Sequence, residues 1–166
     1  MTFIILIILI VIIIPLMVLG LYETSKMADN LIVTKRSYKN FKNNFNKCNL
    51  IIIPFNIGKK QYNFLVDTGA TKSVINKSFV KDMNVNKSNE KFCGVDGNYI
   101  DSESINLILK SNNKEYSENF NVLNLDRLFK NIKDDTNIDI VGILGCKFLE
   151  KNAFIIDFEN KKTLYK

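Results

Sequence analysis

The sequence predicts a mostly β domain with short helices, preceded by one transmembrane helix. Two observations predict this arrangement: an uncharged apolar run opens the chain, and short apolar runs separated by turn residues fill its second half. A polar, basic segment lies between the two. We assign residues 1–22 to a membrane anchor, 23–47 to a linker and 48–166 to one small domain, since about 120 residues suit a single hydrophobic core.

The anchor is the uncharged run from Phe3 to Tyr22, which consists of 20 residues, mostly Ile, Leu and Val. As a helix it is about 30 Å long, which matches the hydrocarbon core of a bilayer. A cleaved signal peptide is the alternative interpretation. The anchor is favoured because the run lacks a basic n-region and an A-x-A-like cleavage site, and because it is longer than the usual apolar region of a signal peptide.

The linker from Glu23 to Lys47 holds +4 of the chain's net charge of +6, from six basic and two acidic residues. Basic residues beside a membrane span favour the cytoplasmic side and anionic lipid head groups. We therefore expect a single-pass membrane protein with a cytoplasmic soluble domain. A nucleic-acid-binding arm is the weaker interpretation of the same charges. Because the basic residues of the linker are spread out and the rest of the chain is close to neutral, we expect no nucleic-acid partner.

Within the domain, β-branched and aromatic runs between turn residues predict strands. In chain order the predicted strands are residues 50–57, 61–66, 104–110, 116–123, 138–144, 153–158 and 163–165. We expect Gly58-Lys59 and Asn112-Asn113 to be the turns of two hairpins, and Asp96-Gly97 to be the turn of a third, within residues 92–100. Short helices are expected over residues 76–83, 125–132 and 146–150.

The composition excludes several kinds of catalysis. The chain has no His, so Ser-His-Asp and Cys-His catalysis and mixed Cys/His zinc sites are excluded within one chain. Its three cysteines, Cys48, Cys93 and Cys146, form no CxxC pair, and their odd number weakly favours a reducing compartment. Neither a phosphate-binding loop nor a dinucleotide fingerprint is present. We therefore expect no metal and no cofactor, and carboxylate, Lys or Ser/Thr chemistry remains.

The strongest candidate for chemistry is the segment from Phe64 to Thr71, an apolar strand that runs into Asp67-Thr68-Gly69-Ala70. Because Gly69 has no side chain, another backbone or a substrate can approach the carboxylate at this strand end closely. One exposed Asp is a poor base near neutral pH, whereas two carboxylates about 3 Å apart share a proton and activate a water between them. The Asp-Thr-Gly triplet occurs once, so the second carboxylate has to come from a symmetric partner subunit.

The segment 64–75 resembles the active-site segment of retroviral-type (retropepsin-like) aspartic proteases. The resemblance extends to the apolar strand 140–145, which ends in Leu144-Gly145, and to the hairpin around Cys93-Gly94-Val95-Asp96-Gly97. It covers residues 50–165, nearly the whole predicted domain. It implies a closed β-barrel and a homodimeric aspartic endopeptidase that binds extended peptides under two mobile flaps.

The resemblance also implies a role for each matching residue. Asp67 is implied to be catalytic, with the Thr68 hydroxyl bonding across the dimer and Gly69 leaving room beside the carboxylate. The full set comprises the active-site loop Thr68, Gly69, Ala70 and Thr71, the flap Gly94, Val95, Asp96 and Gly97, and the supporting strand Ile143, Leu144 and Gly145.

Three alternatives to a protease remain open from the sequence. Asp-Thr-Gly after a strand is also found as an ordinary turn in which Asp bonds its own backbone. A non-catalytic, membrane-tethered module that binds peptides or supports assembly would have the same fold. A basic nucleic-acid binder would show steeply salt-dependent binding.

Overall fold

The computed structural model describes residues 14–34, 37–93 and 99–166 of the chain. The chain divides into two compact units, Met1–Arg36 and Ser37–Lys166. In the first unit, helix α1 spans Ile14–Thr34. Among the described residues, no helix is both long enough and apolar enough to cross a membrane. Residues 1–13 of the predicted anchor lie outside the described ranges.

The second unit is a closed β-barrel, which confirms the mostly β prediction. Its strands are β2 (Ile52–Ile57), β3 (Lys60–Val66), β4 (Val74–Asn76), β5 (Asn86–Cys93), β6 (Tyr99–Ser111), β7 (Lys114–Leu123) and β8 (Ile140–Leu144). They are hydrogen-bonded in the order β2-β3-β8-β4-β7-β6-β5. Because β6 also pairs with β2, at Asn56 and Lys110, six of the strands close on themselves and β5 lies outside the ring.

A smaller sheet and three short helices complete this unit. The sheet has the order β1-β10-β9, with β1 at Ser37–Asn40, β9 at Ile155–Asp157 and β10 at Lys162–Tyr165. The helices are α2 (Lys42–Cys48), α3 (Asp126–Thr136) and α4 (Cys146–Lys151). The predicted helix over residues 76–83 is instead a succession of tight turns, with Phe79 N–H donating to Asn76 O and Met83 N–H to Val80 O.

The segment that the sequence assigns to the linker contributes β1 and α2 to the compact unit. β1 pairs antiparallel with β10, from Ser37 and Tyr165 to Asn40 and Lys162. Phe41, between β1 and α2, is fully buried and its ring packs against Phe45. The unit therefore begins at Ser37 rather than at Cys48, because an aromatic residue in a polar, basic segment is part of the core.

Asparagine supplies several of the left-handed backbone positions in this unit. Asn112 and Asn113 have φ angles of 49° and 62°, the pattern of a two-residue hairpin turn between β6 and β7. Asn49 and Asn137 adopt the left-handed conformation at the C-termini of α2 and α3. The abundance of Asn in the sequence therefore has a structural use, since Asn tolerates this conformation better than most residues.

Aromatic side chains fill the barrel. Phe55 of β2 is fully buried, and its ring lies about 6 Å from the rings of four other residues, Phe64, Tyr116, Phe148 and Tyr165. The contacts with Phe64, Tyr116 and Phe148 are edge-to-face, and such contacts contribute about 0.5–1.5 kcal/mol per pair beyond area burial. The same core supports both β3, which leads into the Asp67 loop, and β10 of the smaller sheet.

Candidate active site

Asp67 directly follows β3, where the strand leaves the barrel. Its backbone N–H donates to Leu144 O (3.1 Å), which continues the parallel pairing of β3 with β8. Its side-chain Oδ1 accepts a hydrogen bond from Gly69 N–H (2.8 Å). This is the self-bonded turn that the sequence left open, and it fixes the carboxylate at the mouth of the strand.

Strand β8 passes between the two ends of the Asp67 loop. It pairs in parallel with β3, with Val66 opposite Leu144, and antiparallel with β4, with Val74 opposite Ile143. The loop of residues 67–73 is therefore held at both ends by one strand. The sequence predicts Ile143 and Leu144 as this support, and the structure places both beside the loop, with Leu144 fully buried.

Two glycines allow β8 to pack closely against its neighbours, Gly145 against the loop and Gly142 against β4. A Cβ atom on Gly145 would lie 2.5 Å from Lys72 O and 2.8 Å from Ala70 O. A Cβ atom on Gly142 would lie 2.8 Å from Val74 O. Real Cβ atoms essentially never come this close to a backbone atom, so neither position has space for any other residue.

The start of α4 is bonded to the far side of the same loop. Cys146 N–H donates to Ala70 O (2.7 Å) and Lys147 N–H donates to Thr71 O (3.1 Å). The Cys146 thiol donates to Thr68 O (2.9 Å). The predicted loop residues Thr68, Ala70 and Thr71 therefore each use a backbone carbonyl to fix the loop, while the Thr68 and Thr71 side chains are exposed.

Ser73 and Glu118, which are not among the site residues predicted from the sequence, extend this support into the barrel. Ser73 is fully buried; its Oγ accepts from Gly145 N–H (3.2 Å) and its hydroxyl is hydrogen-bonded to the Glu118 carboxyl. Burial raises the pKa of Glu118, opposed by the Ser73 hydrogen bond and the charge of Lys151. Glu118 occupies an inward position of β7, between Tyr116 and Phe120, so a charged residue in an alternating apolar pattern was the available signal.

The predicted flap is only partly within the described residues. Strands β5 and β6 pair antiparallel up to Cys93 and Tyr99, as expected for the arms of a hairpin. Gly94, Val95, Asp96 and Gly97 lie outside the described residues. The structure therefore agrees with a hairpin at this position and leaves the role of its tip as a prediction.

The structure is a closed barrel whose Asp-Thr-Gly loop is supported by a neighbouring strand, β8, that leads into a glycine. This is the arrangement expected of a retropepsin-like domain. The family model described as aspartyl protease matches residues 53–148, which is more than half of the chain. The chain belongs to this family. The matched range contains Asp67, its loop and the supporting strand.

Several solved structures align with the chain at low identity. A retropepsin-like aspartic protease from Rickettsia conorii is 15% identical, with a TM-score of 0.49 over 78% of this chain and 89% of that one. The retroviral protease-like domain of Ddi1 from Leishmania major is 16% identical (TM-score 0.43; 70% and 92%). EIAV protease complexed with the inhibitor HBY-793 is 20% identical (TM-score 0.43; 60% and 85%). No curated protein matches the chain.

Proposed function

We propose that this protein is an aspartic endopeptidase that acts as a homodimer, with Asp67 of each subunit supplying one of two catalytic carboxylates. One observation carries the proposal: Asp67 lies at the mouth of a barrel strand, on a loop whose backbone is bonded to both β8 and α4. Such a loop holds its carboxylate in a fixed position before substrate binds, and catalysis by a preorganised group requires this.

The chemistry follows from pairing the two carboxylates. At about 3 Å they share one proton, because both cannot be ionised at that distance. The ionised member accepts a proton from a water molecule as the water attacks the amide carbonyl carbon. The protonated member donates its proton to the carbonyl oxygen. The reaction needs no metal and no organic cofactor.

The surface next to the loop supports a second copy of the chain as the partner. In the part of the chain that the structure describes, β9 is an end strand that pairs with β10 alone. Ile155 on β9 and Phe158 after it are 47% and 51% exposed. Beside them an open cavity of about 500 Å³, lined largely by apolar side chains that include Leu149 and Phe154, extends to Thr68.

A two-fold axis beside β9 accounts for these features together. Antiparallel pairing of β9 with its counterpart would satisfy the open sheet edge and cover the exposed apolar side chains. Because Thr68 lines the adjoining cavity, the same axis would bring the two Asp67 loops near each other. Peptides would then bind in extended form across the shared site, under the two β5–β6 hairpins.

We further propose that residues 1–22 anchor the protein in a membrane and that the second unit is cytoplasmic. The uncharged run and the basic residues that follow it support this orientation. Protease protection in sealed vesicles tests it, and a second unit located on the outer side would contradict it.

The substitution Asp67→Asn tests the catalytic assignment. Asparagine has almost the same shape but cannot accept the proton of the attacking water, so we expect kcat/KM on a fluorogenic peptide library to fall by about 10³-fold or more. Thermal unfolding and the sedimentation coefficient should stay unchanged. Asp139→Asn is the matched control. The Asp139 side chain is 73% exposed, and within the described residues its only ion pair is with Lys133.

Two outcomes would contradict the proposal. Unchanged cleavage by the Asp67→Asn protein would reject Asp67 as the catalytic group. Peptide binding without cleavage by the wild-type dimer would instead identify the non-catalytic module of the same fold.

A further inference from the structure

A second cavity, of about 310 Å³, lies between β7 and α4 and is lined almost entirely by polar side chains. We call it the basic cavity. The described residues that line it are Lys72, Asn106, Ser117, Glu118, Asn119, Asn121, Lys147 and Lys151. Three of these are lysines and three are asparagines, whereas Glu118 is the single acid among them. The cavity is therefore rich in hydrogen-bond donors and carries a net positive charge.

The architecture of the barrel brings these side chains together. Ser117, Asn119 and Asn121 occupy alternate positions of β7, whereas Glu118, which also lines the cavity, is on the inward face with Tyr116 and Phe120. Lys147 and Lys151 are four residues apart on α4 and so lie on one face of that helix. Lys151 Nζ donates to Ser117 O (2.8 Å), which ties the helix to the strand across the cavity.

The walls of the basic cavity are bonded directly to the active-site loop. Asn121 N–H donates to Ser73 O (3.0 Å), and Lys147 N–H donates to Thr71 O (3.1 Å). Lys72 lies between these two attachment points. It is five residues after Asp67, so the two Cα atoms are at most about 17 Å apart, a distance that an extended peptide of five or six residues spans.

We propose that the basic cavity binds an anionic group, a carboxylate or a phosphate, beside the active-site loop. Ammonium, amide and hydroxyl donors around one small cavity are the groups that recognise such oxygens. The anion has two sources: an acidic side chain of the bound peptide, which rests on the proposed protease function, or free phosphate. The Glu118 carboxyl, which is nearly buried at the cavity wall and hydrogen-bonded to Ser73, repels an anion when it is ionised and thereby weakens its binding.

Calorimetric titration of the full chain with inorganic phosphate, at constant ionic strength, tests the site itself. We expect Lys147→Met to weaken phosphate binding about fivefold, the effect of one surface ion pair, while the aliphatic stem keeps its packing. Glu118→Gln should act in the opposite direction and tighten binding. Lys114→Met is the matched control, since Lys114 is an exposed lysine at the β6–β7 turn, at the opposite end of β7 from Asn121.

Cleavage of peptide pairs that differ only by Glu or Gln at each position identifies the source of the anion. A preference for Glu that Lys147→Met removes and phosphate competes with assigns the cavity to the substrate. Phosphate binding without such a preference assigns it to a free anion. Phosphate binding by a chain that cleaves no peptide supports the site and rejects the protease. The site is rejected if phosphate does not bind saturably, or if Lys114→Met weakens its binding as much as Lys147→Met does.

Discussion

The active-site loop and the three-stranded sheet lie next to each other but differ in how their backbone groups are hydrogen-bonded. Within residues 67–73, backbone groups of the loop are bonded to β8 and to α4 of the same chain. In the sheet, by contrast, β9 pairs along one side only within the described residues, and Ile155 is 47% exposed. One region is finished within the subunit and the other is open at its edge.

In the proposed homodimer, this contrast gives the two regions different roles. The chain holds the Asp67 loop through its own contacts, including those at the crowded glycines Gly142 and Gly145, so this geometry would not depend on assembly. The open edge of β9 would determine whether a second carboxylate is present. Changes in the loop should therefore alter stability or chemistry in each subunit, whereas changes at β9 should alter assembly and leave the fold intact.

The largest stability effect is expected from Gly145→Ala, which breaks the crossing of the loop and β8. The added Cβ atom would lie 2.5 Å from Lys72 O, and both neighbours are backbone, which moves only as a unit. We expect the free energy of unfolding to fall by about 3 kcal/mol, at the upper end of overpacking effects, measured by urea denaturation.

Gly69→Ala is the comparison for that experiment. Its added Cβ atom would lie 3.2 Å from Asp67 Oδ1, a side-chain oxygen that can be displaced more easily than a backbone atom, at the expense of its hydrogen bond from Gly69 N–H. Its stability should therefore change by less than about 1 kcal/mol, while peptide cleavage falls because the carboxylate moves. Equal stability losses in the two variants would show that the crossing at Gly145 is not specially crowded.

The sequence revealed the loop better than it revealed its support. Asp67, Thr68 and Gly69 were recognisable because their chemistry is local: an acid, a hydroxyl and a glycine directly after an apolar strand. A closed barrel was expected from the family resemblance, not from periodicity, and the order of its strands was not predicted, since strand order depends on which strands meet in space. The structural role of Gly142, inside the predicted strand 140–145, could not be predicted, because its crowding arises from Val74, which is distant in sequence.

The start of the compact unit was misjudged for a physical reason. Residues 37–47 are polar and basic, which is typical of linkers, yet β1 within them adds a strand to β10 through backbone hydrogen bonds that any sequence can make. Within this segment the fully buried Phe41 and the partly buried Phe45 pack in the core. Isolated aromatic residues in a polar segment are a weak signal.

The second effect in size is expected from Ile155→Lys, which acts on the open edge. Lysine at an edge strand disfavours pairing with another strand and adds charge where the two subunits would meet. We expect the dimer dissociation constant, measured by sedimentation equilibrium, to rise at least about tenfold, and activity at low protein concentration to fall with it.

Ile108→Lys is the matched control for the edge. Ile108 is 40% exposed on β6, nearly as much as Ile155, but it lies on a strand that is paired on both sides. A surface substitution of this kind should leave both dimerisation and stability nearly unchanged. If the two lysine variants weaken the dimer equally, or if neither does, β9 is not the interface.

The smallest effect is expected from Glu118→Gln, which tests the support inside the barrel. Glu118 is 9% exposed, and burial raises the pKa of its carboxyl, with Ser73 and Lys151 acting in the opposite direction. The folded state therefore binds the proton more tightly than the unfolded state. The resulting contribution to stability is complete below the unfolded pKa of 4.5 and is lost as the pH rises through the higher folded pKa.

Glutamine keeps the shape of Glu118 and removes its titration. At pH 7 the variant avoids the cost of an ionised, buried carboxylate, so we expect its Tm to exceed that of the wild type by about 2–4 °C. Below pH 4 the two proteins should unfold at nearly the same temperature, because the wild-type carboxyl is then neutral. Lys72 and Lys147 line the basic cavity together with Glu118, so the Tm measurements at different pH values need constant ionic strength. A variant that is less stable than wild type at pH 7 would mean that Ser73 and Lys151 outweigh burial, and that the ionised carboxylate supports the loop.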